Sequence, residues 1–539
     1  MNKWSAPTRS LIPLTTLNKR LGALPAALLR RLRRGIEKES LRATADGRLA
    51  LTPHPRALGS ALTHPHITTD FSESQLELIT GVHETIDACV GQLTEIHQVV
   101  YRNLGEEILW ATSMPCGLPG DDEIPLAQYG RSNVARAKTV YRRGLSYRYG
   151  RRMQTISGIH YNFSLPDEAW PLLQRVQGRA GNPETFRDEA YFGLIRNFRR
   201  HTWLLLYLFG ASPAVCGSFV EGREHGLQPI GQGSLYLPFA TSLRMGPLGY
   251  QSDVQRSLAV SYNSLRSYAQ SIRAALIEPY PPYEAIGVRV GDEYRQLSPT
   301  LLQIENEFYG TIRPKRTIRS GERPLHALAE RGVEYVEVRC IDVDPFKPVG
   351  IDAAMMRFLD VFLLHCLLAD SPPDSVAEIE RLGRNQHLAA QRGRDPQARL
   401  LRERGEVALT AWAGELLDEC VPIAAALDDA NRTGVHREAL AEARAALGAP
   451  STTPSARVLR RMAADHGNSF RSFALEQSLR HREALLGMHC DAALLARYAA
   501  MAERSLADQA GIERAENEPF EAFLQRYLSQ QPLGMAATQ

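Results

Sequence analysis

Carboxylates spaced two residues apart occur in several short segments of this chain. Glu37 and Glu39 form one such pair, and Glu305 and Glu307 form another. In a β-strand both members of a pair project from one face, because side chains alternate across a strand. Carboxylates held close together raise each other's pKa, and divalent cations remove that penalty. Oxygen donors suit Mg²⁺ or Mn²⁺, and nearby arginines suit phosphate oxygens, so the pattern predicts a metal–nucleotide site.

Three further segments carry candidate ligands. Residues 335–339 place Glu337 and Arg339 on one face, and residues 159–164 alternate between polar and apolar, with His160 on the polar face. Asp70 and Glu77 are seven residues apart, so they would lie on opposite faces of one continuous strand. If both belong to one site, the strand must be interrupted between them, and we expect this break at residues 71–74. A single glutamate is more often simply solvated, and a single histidine is more often structural. Only the joint placement of these residues favours a site.

The segments that must position these residues are predicted to be short strands between helices. Strand-like alternation occurs at residues 36–41, 154–164, 302–309 and 335–342. One polar face favours a mainly antiparallel sheet that packs its other face on helices. From about residue 350 to the end, nearly the whole chain has a helical pattern. We therefore expect an α+β fold with a catalytic sheet core with inserted helices in residues 1–350. A mostly helical C-terminal region in residues 351–539 should pack on that core.

Composition and charge indicate an ordinary globular protein. Apolar residues make up 44% and charged residues 23%, and 63 basic and 60 acidic residues leave a net charge of +3. This near-balance gives no general reason to expect a nucleic-acid partner. The arginine-rich run at residues 136–152 keeps a nucleic-acid-binding protein open as an alternative, for which strongly salt-dependent binding is the test. The sequence contains no GxxxxGK[ST] phosphate loop.

The cysteines and the apolar runs indicate in which cellular compartment the protein is expected. The seven cysteines include no CxxC pair, so we expect free, mostly buried thiols in a reducing cytoplasm. The apolar run at residues 202–220 is interrupted by Gly210 and Pro213, which favours a buried helix over residues 203–209 rather than a membrane span. Arginines directly follow the apolar run at residues 21–29, so an amphipathic first helix is expected there rather than a signal peptide.

Ordered sequence blocks make the prediction more specific. The chain resembles the proteobacterial glutamate–cysteine ligases in the blocks RGIEKESLR (34–42), LGSALTH (58–64), ITTDF (67–71), SMPC (113–116), MQTISGIHYNFS (153–164), YLFGASPA (207–214), LQIENEFY (302–309), IRPKR (312–316) and YVEVR (335–339). The blocks keep the family's order and approximate spacing. The helical C-terminal part is similar in character but less diagnostic. A longer N-terminal extension and a different loop at residues 222–232 depart from the family pattern.

The resemblance implies a fold similar to that of glutamine synthetase, in which an antiparallel sheet curves into a funnel surrounded by helices. It implies that the γ-carboxylate of L-glutamate is joined to the amine of L-cysteine through a γ-glutamyl phosphate, the first step of glutathione biosynthesis. ATP is the implied co-substrate, with Mg²⁺, or alternatively Mn²⁺, as cofactor. A ligase or kinase that acts on a different amine is the alternative enzyme. We expect a monomer that binds small molecules and neither nucleic acid nor membrane.

The same resemblance assigns roles to individual residues. It implies metal ligands at Glu37, Glu39, Asp70, Glu77, His160 and Glu337. It implies that Arg244 and Arg339 handle the phosphate and the transferring group. A cysteine pocket is implied at Phe71, Tyr141, Leu145, Gln154, Tyr250 and Tyr309, with Arg142 nearby for a substrate carboxylate. Glu73, Glu305 and Glu307 are expected to be bystanders.

Overall fold

An antiparallel sheet forms the centre of the molecule, in a computed structural model that describes residues 13–249, 258, 260–319 and 321–529. The strands are β1 (Arg33–Ala43), β2 (Ile67–Thr69), β3 (Gln75–Ile79), β4 (Ile108–Leu109), β5 (Ile159–Ser164), β6 (Ala214–Cys216), β7 (Gln228–Pro229), β8 (Ser234–Tyr236), β9 (Arg289–Val290), β10 (Glu293–Tyr294), β11 (Ile312–Lys315), β12 (Tyr335–Ile341), β13 (Arg399–Arg402) and β14 (Gly405–Ala408). The main sheet has the order β11-β12-β5-β1-β3-β2, and β4 also pairs with β1.

Helices enclose this sheet. They are α1 (Pro13–Gly22), α2 (Ala26–Leu29), α3 (Ile86–Asn103), α4 (Asn133–Tyr149), α5 (Arg151–Gln154), α6 (Ala169–Val176), α7 (Pro183–Phe209), α8 (Gly217–Val220), α9 (Leu265–Ile277), α10 (Pro281–Ile286), α11 (Pro324–Arg331), α12 (Ala353–Leu368), α13 (Val376–Arg392), α14 (Leu409–Asn431), α15 (Val435–Gly448), α16 (Pro454–Asp465), α17 (Phe470–Gly487), α18 (Ala492–Ala515) and α19 (Phe520–Ser529). The α+β class expected from the alternation is confirmed.

Side chains along β5 point alternately to the two faces of the sheet. Tyr161 is fully buried on the helical side, where its hydroxyl donates to Asp360 of α12 at 2.7 Å. His160, the neighbouring residue, lies on the opposite face and borders a pocket. The long helix α7 begins at Pro183 after the N-cap Asn182 and buries an apolar stripe. One hydrophobic cluster includes residues of the sheet, of α7 and of α12, so the helical layer fixes the position of the sheet from behind.

The expected break between Asp70 and Glu77 is confirmed. Strand β2 ends at Thr69 and β3 begins at Gln75. Between them the chain turns, and the backbone N–H of Gln75 donates to the carbonyl of Ser72 at 2.9 Å. Because the turn reverses the chain between the two strands, Asp70 and Glu77 lie on the same face and both border the pocket.

One expectation about secondary structure is wrong. Residues 302–309 do not form a strand, because residues 305–307 form a 3-10 turn and the side chains of Glu305 and Glu307 bind arginines. Tertiary contacts that the sequence pattern does not encode outweighed local alternation there. The described part of the chain after residue 350 is mostly helical, as expected, with one hairpin of β13 and β14 between α13 and α14.

The expectation of seven free thiols is also wrong. Cys116 and Cys216 form a disulfide, with their Cα atoms 5.2 Å apart, whereas Cys89, Cys340, Cys366, Cys420 and Cys490 are free. The two partners are 100 residues apart in the chain, so spacing alone gave no sign of their proximity. As expected for residues 203–209, that segment is part of a buried helix, α7. Within the described ranges, no helix combines the length and apolarity that crossing a membrane requires.

Candidate active site

The register of the central strands brings the predicted ligands together. Glu37 of β1 is paired with His160 of β5, and Glu39 is paired with Glu77 of β3. Position-matched residues on adjacent antiparallel strands have Cβ atoms about 5 Å apart, so these side chains project side by side. The shared pocket, about 370 Å³ in volume, is bordered by Glu37, Glu39, Asp70, Glu77, His160 and Glu337. All six candidate ligands therefore lie on one face.

Hydrogen bonds fix the central part of this cluster. Glu37 accepts from the side-chain amide of Asn162 at 2.8 Å, and its other oxygen lies 3.2 Å from His160 Nδ1. Glu337 of β12 is paired with Asn162 and lies 3.9 Å from His160 Nδ1. Glu39 accepts from the backbone N–H of Gly158 at 2.7 Å. These contacts hold each carboxylate in a defined orientation toward the pocket.

Burial and mutual repulsion shift the proton equilibria of the carboxylates. Burial, together with Glu37, Asp70 and Glu39, raises the pKa of Glu77 well above its ordinary value. Burial and then Asp70 raise the pKa of Glu39. Burial also opposes ionisation of Glu337, but Lys315 and Arg339 outweigh it and hold the pKa of Glu337 well below its ordinary value. Neighbouring cations therefore compensate the charge of Glu337 more completely than those of Glu39 and Glu77.

The donor set fits divalent cations. Glu37, His160 and Glu337 each offer a ligand atom within 4.8 Å of the other two. His160 Nε2 is buried without a hydrogen-bond partner among the described residues, and it lies 3.6 Å from Glu39 Oε1. A buried polar atom without a partner is costly unless something else satisfies it. Carboxylates and one imidazole around such an atom are the donors that Mg²⁺ and Mn²⁺ accept.

Aromatic side chains form another part of the pocket lining, called here the aromatic wall. The pocket is bordered by five of the six residues predicted for the cysteine pocket, which are Phe71, Tyr141, Leu145, Gln154 and Tyr309. Gln154 and Tyr309 are joined by a hydrogen bond of 2.9 Å from the amide to the hydroxyl. The sixth residue, Tyr250, lies outside the described residues.

Arg142 of α4 also borders the pocket. It donates to the carbonyl of Asp70 and stacks over the ring of Tyr129 with 4.6 Å between guanidinium carbon and ring centroid. These contacts place one guanidinium at the pocket beside the candidate ligand Asp70. A substrate carboxylate in the pocket would meet it there.

The two predicted catalytic arginines lie in different environments. Arg339 borders the pocket, and its guanidinium is 2.9 Å from Glu337 Oε2. Arg244 is fully buried; it donates to the carbonyl of Arg339 at 2.8 Å and lies 3.6 Å from Asp342. Gly158 makes room for Arg244, because a Cβ there would lie 2.0 Å from the guanidinium. Arg244 therefore supports the strand that carries Arg339.

Sequence reasoning missed two lysines at the site. Lys315 of β11 borders the pocket and lies 3.0 Å from Glu337 Oε1, and nearby acidic groups raise its pKa despite burial. Lys138 of α4 also borders the pocket, and burial lowers its pKa to about 8. The alternation of Arg313 and Lys315 in residues 312–316 was a usable signal for Lys315, because it places both cations on one face of β11.

The expected bystanders have structural contacts. Glu73 accepts from the backbone N–H groups of His54 and Gln128 at 2.9 and 2.8 Å. Glu307 binds Arg148 at 2.9 Å, and Glu305 binds Arg323 at 2.8 Å. Arg148 belongs to the run proposed as a nucleic-acid patch, yet its side chain is fully buried.

Comparison with known proteins gives matches over most of the chain. Residues 19–389 match the family model described as glutamate-cysteine ligase. The chain is 49% identical over 513 residues to the glutamate–cysteine ligase of Alcanivorax borkumensis, covering 94% of this chain and 97% of that protein. It is 50% identical over 504 residues to that of Azotobacter vinelandii, covering 93% and 95%.

A solved structure supports the same assignment. The crystal structure of the glutamate–cysteine ligase of Francisella tularensis in complex with AMP superposes with a TM-score of 0.87. The two proteins are 36% identical, and the match covers 92% of this chain and 97% of that chain. The matches extend over the sheet, the pocket and most of the C-terminal helices. This chain belongs to the glutamate–cysteine ligase family.

Proposed function

We propose that this pocket joins the γ-carboxylate of L-glutamate to the amine of L-cysteine through a γ-glutamyl phosphate. Formation of γ-glutamylcysteine at the expense of ATP, in glutathione biosynthesis, is the activity of the family to which the chain belongs. The observation that carries the proposal is that five carboxylates and His160 border the same pocket as the aromatic wall. The acidic face suits a metal–nucleotide complex, and the wall suits a small thiol.

The chemistry requires an activated carboxylate. A carboxylate does not react usefully with an amine, because its oxygen is a poor leaving group. In the proposed sequence the γ-carboxylate attacks the γ-phosphorus of ATP, ADP leaves, and the cysteine amine then displaces phosphate from the acyl phosphate. No enzyme nucleophile is needed, and the chain contributes orientation and charge.

Mg²⁺ is the proposed cofactor, with Mn²⁺ as the alternative. Glu37, Glu39, Asp70, Glu77, His160 and Glu337 are the proposed ligands, because all border one pocket. When bound there, the ions supply charge that neutralises phosphate oxygens. The strands themselves supply rigidity, since Glu37 and Glu39 stand on one strand and their partners His160 and Glu77 stand on its two neighbours.

Arg339 and Arg244 are proposed to stabilise the transferring phosphoryl group. Arg339 offers a guanidinium at the pocket, and a planar fork of donors suits phosphate oxygens. Arg244 acts from behind, where its hydrogen bond to the Arg339 carbonyl fixes the backbone of β12. Lys315 is near enough to add a second cation on the same side, because it contacts Glu337 beside Arg339.

Selection of cysteine is assigned to Phe71, Tyr141, Leu145, Gln154, Tyr250 and Tyr309, with Arg142 for a substrate carboxylate. Sulfur packs favourably against ring edges, and the rings give the pocket its shape. Amines such as alanine or 2-aminobutyrate differ from cysteine by little in size. A pocket without a strong polar discriminator separates such substrates only modestly, so some activity with 2-aminobutyrate is expected.

Trapping of the intermediate tests the proposed reaction. Purified protein with glutamate, ATP, Mg²⁺ and hydroxylamine should form γ-glutamyl hydroxamate, and omission of ATP or Mg²⁺ should abolish it. In a second assay, phosphate release is measured with glutamate and each of several amines, and cysteine should give the highest kcat/KM. Hydroxamate formation without ATP, or a clear preference for another amine, would contradict the proposal.

We also propose that the enzyme is a cytoplasmic monomer. The cytoplasm is the compartment that supplies ATP. Size-exclusion chromatography with light scattering should give the mass of one chain, and fractionation of the source cells should recover the activity with cytoplasmic markers.

A further inference from the structure

A second cavity lies in the helical layer behind the sheet. It has a volume of about 230 Å³ and shares no bordering residue with the active-site pocket. Helices α7, α12 and α14 form most of its wall, and Arg402 at the end of β13 closes one side. Its polar lining includes two histidines, His201 of α7 and His365 of α12, whose ring centroids lie 6.0 Å apart.

The hydrogen bonding of His365 resembles that of a metal-ligating histidine. Its Nε2 lies 2.8 Å from Glu419 Oε2, and its Nδ1 is buried without a hydrogen-bond partner among the described residues. A neutral ring that donates Nε2–H to the carboxylate keeps its lone pair on Nδ1. Metal-binding histidines commonly donate their second nitrogen to a carboxylate in this way, which fixes the tautomer and orients the ring. The side chain of His365 is only 2% exposed, so it lies away from the protein surface.

His201 presents a second unsatisfied imidazole to the same cavity. Its Nδ1 is likewise buried and has no partner within the part of the chain that the structure describes. Trp412 packs edge to face on the His201 ring, with the centroids 6.0 Å apart, and limits its movement. Two imidazoles on one ion, each with a metal–nitrogen distance of about 2 Å, have centroids roughly 5–6 Å apart. The observed separation of the rings is compatible with a shared ion.

The charges around the cavity favour a cation. Three carboxylates border it, those of Asp370, Glu415 and Glu419. Asp370 is paired with Arg20 and Glu415 with Arg402, whereas Glu419 contacts His365. The carboxylate beside the unsatisfied imidazole is therefore the one that no arginine neutralises in the described structure.

We propose that this cavity binds one divalent transition-metal ion, with Zn²⁺ as the probe, through the imidazoles of His201 and His365. Glu419 orients His365, and water completes the coordination. Imidazole donors favour Zn²⁺, Ni²⁺ or Cu²⁺ over Mg²⁺, so the site differs in selectivity from the oxygen-rich pocket. Because the ligands stand on α7 and α12, the ion ties two helices of the layer behind the sheet and stabilises the fold.

Zinc binding by matched variants tests the proposal. The full chain is stripped of metal and kept in excess Mg²⁺ and ADP, and bound zinc and the melting temperature are measured as Zn²⁺ is added. His201→Phe, which keeps an aromatic ring beside Trp412, should lose one bound Zn²⁺ and the accompanying rise in melting temperature. Glu419→Gln should keep the stoichiometry with affinity weakened about 10–100-fold. The control is His326→Phe, in the separate cluster of Glu322, His326 and Glu330, and it should behave as the unaltered protein at this site.

Equal zinc stoichiometry and equal affinity in His201→Phe and the unaltered protein would overturn the proposal. If His201→Phe fails to fold, as judged by its circular dichroism without metal, His201→Gln replaces it with the same expected loss. The readouts are independent of catalysis, so failure of this proposal leaves the proposed reaction untouched.

Discussion

Glu39 of β1 and Glu77 of β3 stand directly opposite each other in the antiparallel register of the central sheet. Like charges in this position destabilise a sheet, and burial of both side chains increases the cost. The pKa of each is raised above its ordinary value, first by burial and then by neighbouring carboxylates. The sheet therefore carries a local electrostatic strain at the point where the proposed cations bind.

Replacing Glu77 should raise the stability of the metal-free protein and lower its activity. In Glu77→Gln the repulsion is relieved, so the metal-free protein should be stabilised by roughly 1–3 kcal/mol. The same change removes a proposed ligand, so kcat/KM should fall on the order of 10²-fold or more, and the rise in melting temperature on adding Mg²⁺ should shrink. Thermal unfolding with and without Mg²⁺, together with steady-state assays, measures both effects.

Glu73→Gln is the matched control for Glu77→Gln. Glu73 lies four residues away in sequence, but its carboxylate accepts backbone N–H groups of His54 and Gln128. This variant should lose stability, because a charged acceptor is replaced, and should keep its response to Mg²⁺. A Glu77→Gln protein that is no more stable without metal and keeps full activity would refute the assignment.

Arg339 should matter for the phosphoryl-transfer step rather than for cysteine binding. In Arg339→Lys the charge stays but the planar fork is lost, so kcat should fall about 10²-fold while KM for cysteine changes little. Single-turnover release of phosphate from ATP in the presence of glutamate measures the step directly. Arg143→Lys is the control, since Arg143 binds Glu293 and the Tyr294 carbonyl away from the pocket. An unchanged single-turnover rate in Arg339→Lys would exclude the role.

Tyr309 should contribute to cysteine selection through both its ring and its hydroxyl. Tyr309→Phe removes the hydrogen bond to Gln154 and should raise KM for cysteine a few-fold, because the amide loses a partner. Tyr309→Ala also removes the ring and should raise it roughly 10–100-fold, with KM for ATP nearly constant. Competition between cysteine and 2-aminobutyrate measures selectivity, and an unaltered preference in Tyr309→Ala would contradict the pocket assignment.

The polar face of the sheet could be predicted from the sequence because strand period and ligand spacing coincide. Glu37, Glu39 and His160 follow the two-residue alternation of their strands. The odd spacing between Asp70 and Glu77 correctly predicted a break in the strand between them. Which strands are neighbours could not be derived in that way. Pairing of β12 with β5, which brings Glu337 to Asn162, joins segments more than 150 residues apart. Only the resemblance of ordered blocks indicated that these segments share a site.

Residues whose role depends on distant partners were missed or misjudged. The position of Lys315 beside Glu337 follows from pairing of β11 with β12, which local alternation does not specify. Residues 302–309 alternate like a strand, yet Glu305 and Glu307 form buried ion pairs with Arg323 and Arg148, and these hold a turn. Tertiary ion pairing thus outweighed local propensity there.

Asp188 should make stability depend on pH. Burial raises its pKa to about 6 from 3.8, so the folded state binds a proton more tightly than the unfolded state. Its contribution to stability is present below pH 4 and is lost as pH rises through about 6. Asp188→Asn keeps an acceptor for the Val333 N–H and should remove this loss, giving about 1–2 kcal/mol more stability at pH 8 relative to pH 5. Denaturant unfolding at both pH values measures it, and parallel pH dependence in variant and parent would refute it.

The disulfide between Cys116 and Cys216 should stabilise the fold when it is formed. It closes a loop between positions 100 residues apart, and the chain-entropy model gives about 4–5 kcal/mol for a loop of that length. Denatured protein prepared without reductant should therefore expose five reactive thiols, and reduced protein should expose all seven. Reduction should lower the melting temperature of the parent but not of Cys216→Ser, which already lacks the bond. Seven reactive thiols in the unreduced protein would show that the bond is absent in solution, and an equal effect of reductant on parent and variant would show that it does not stabilise the fold.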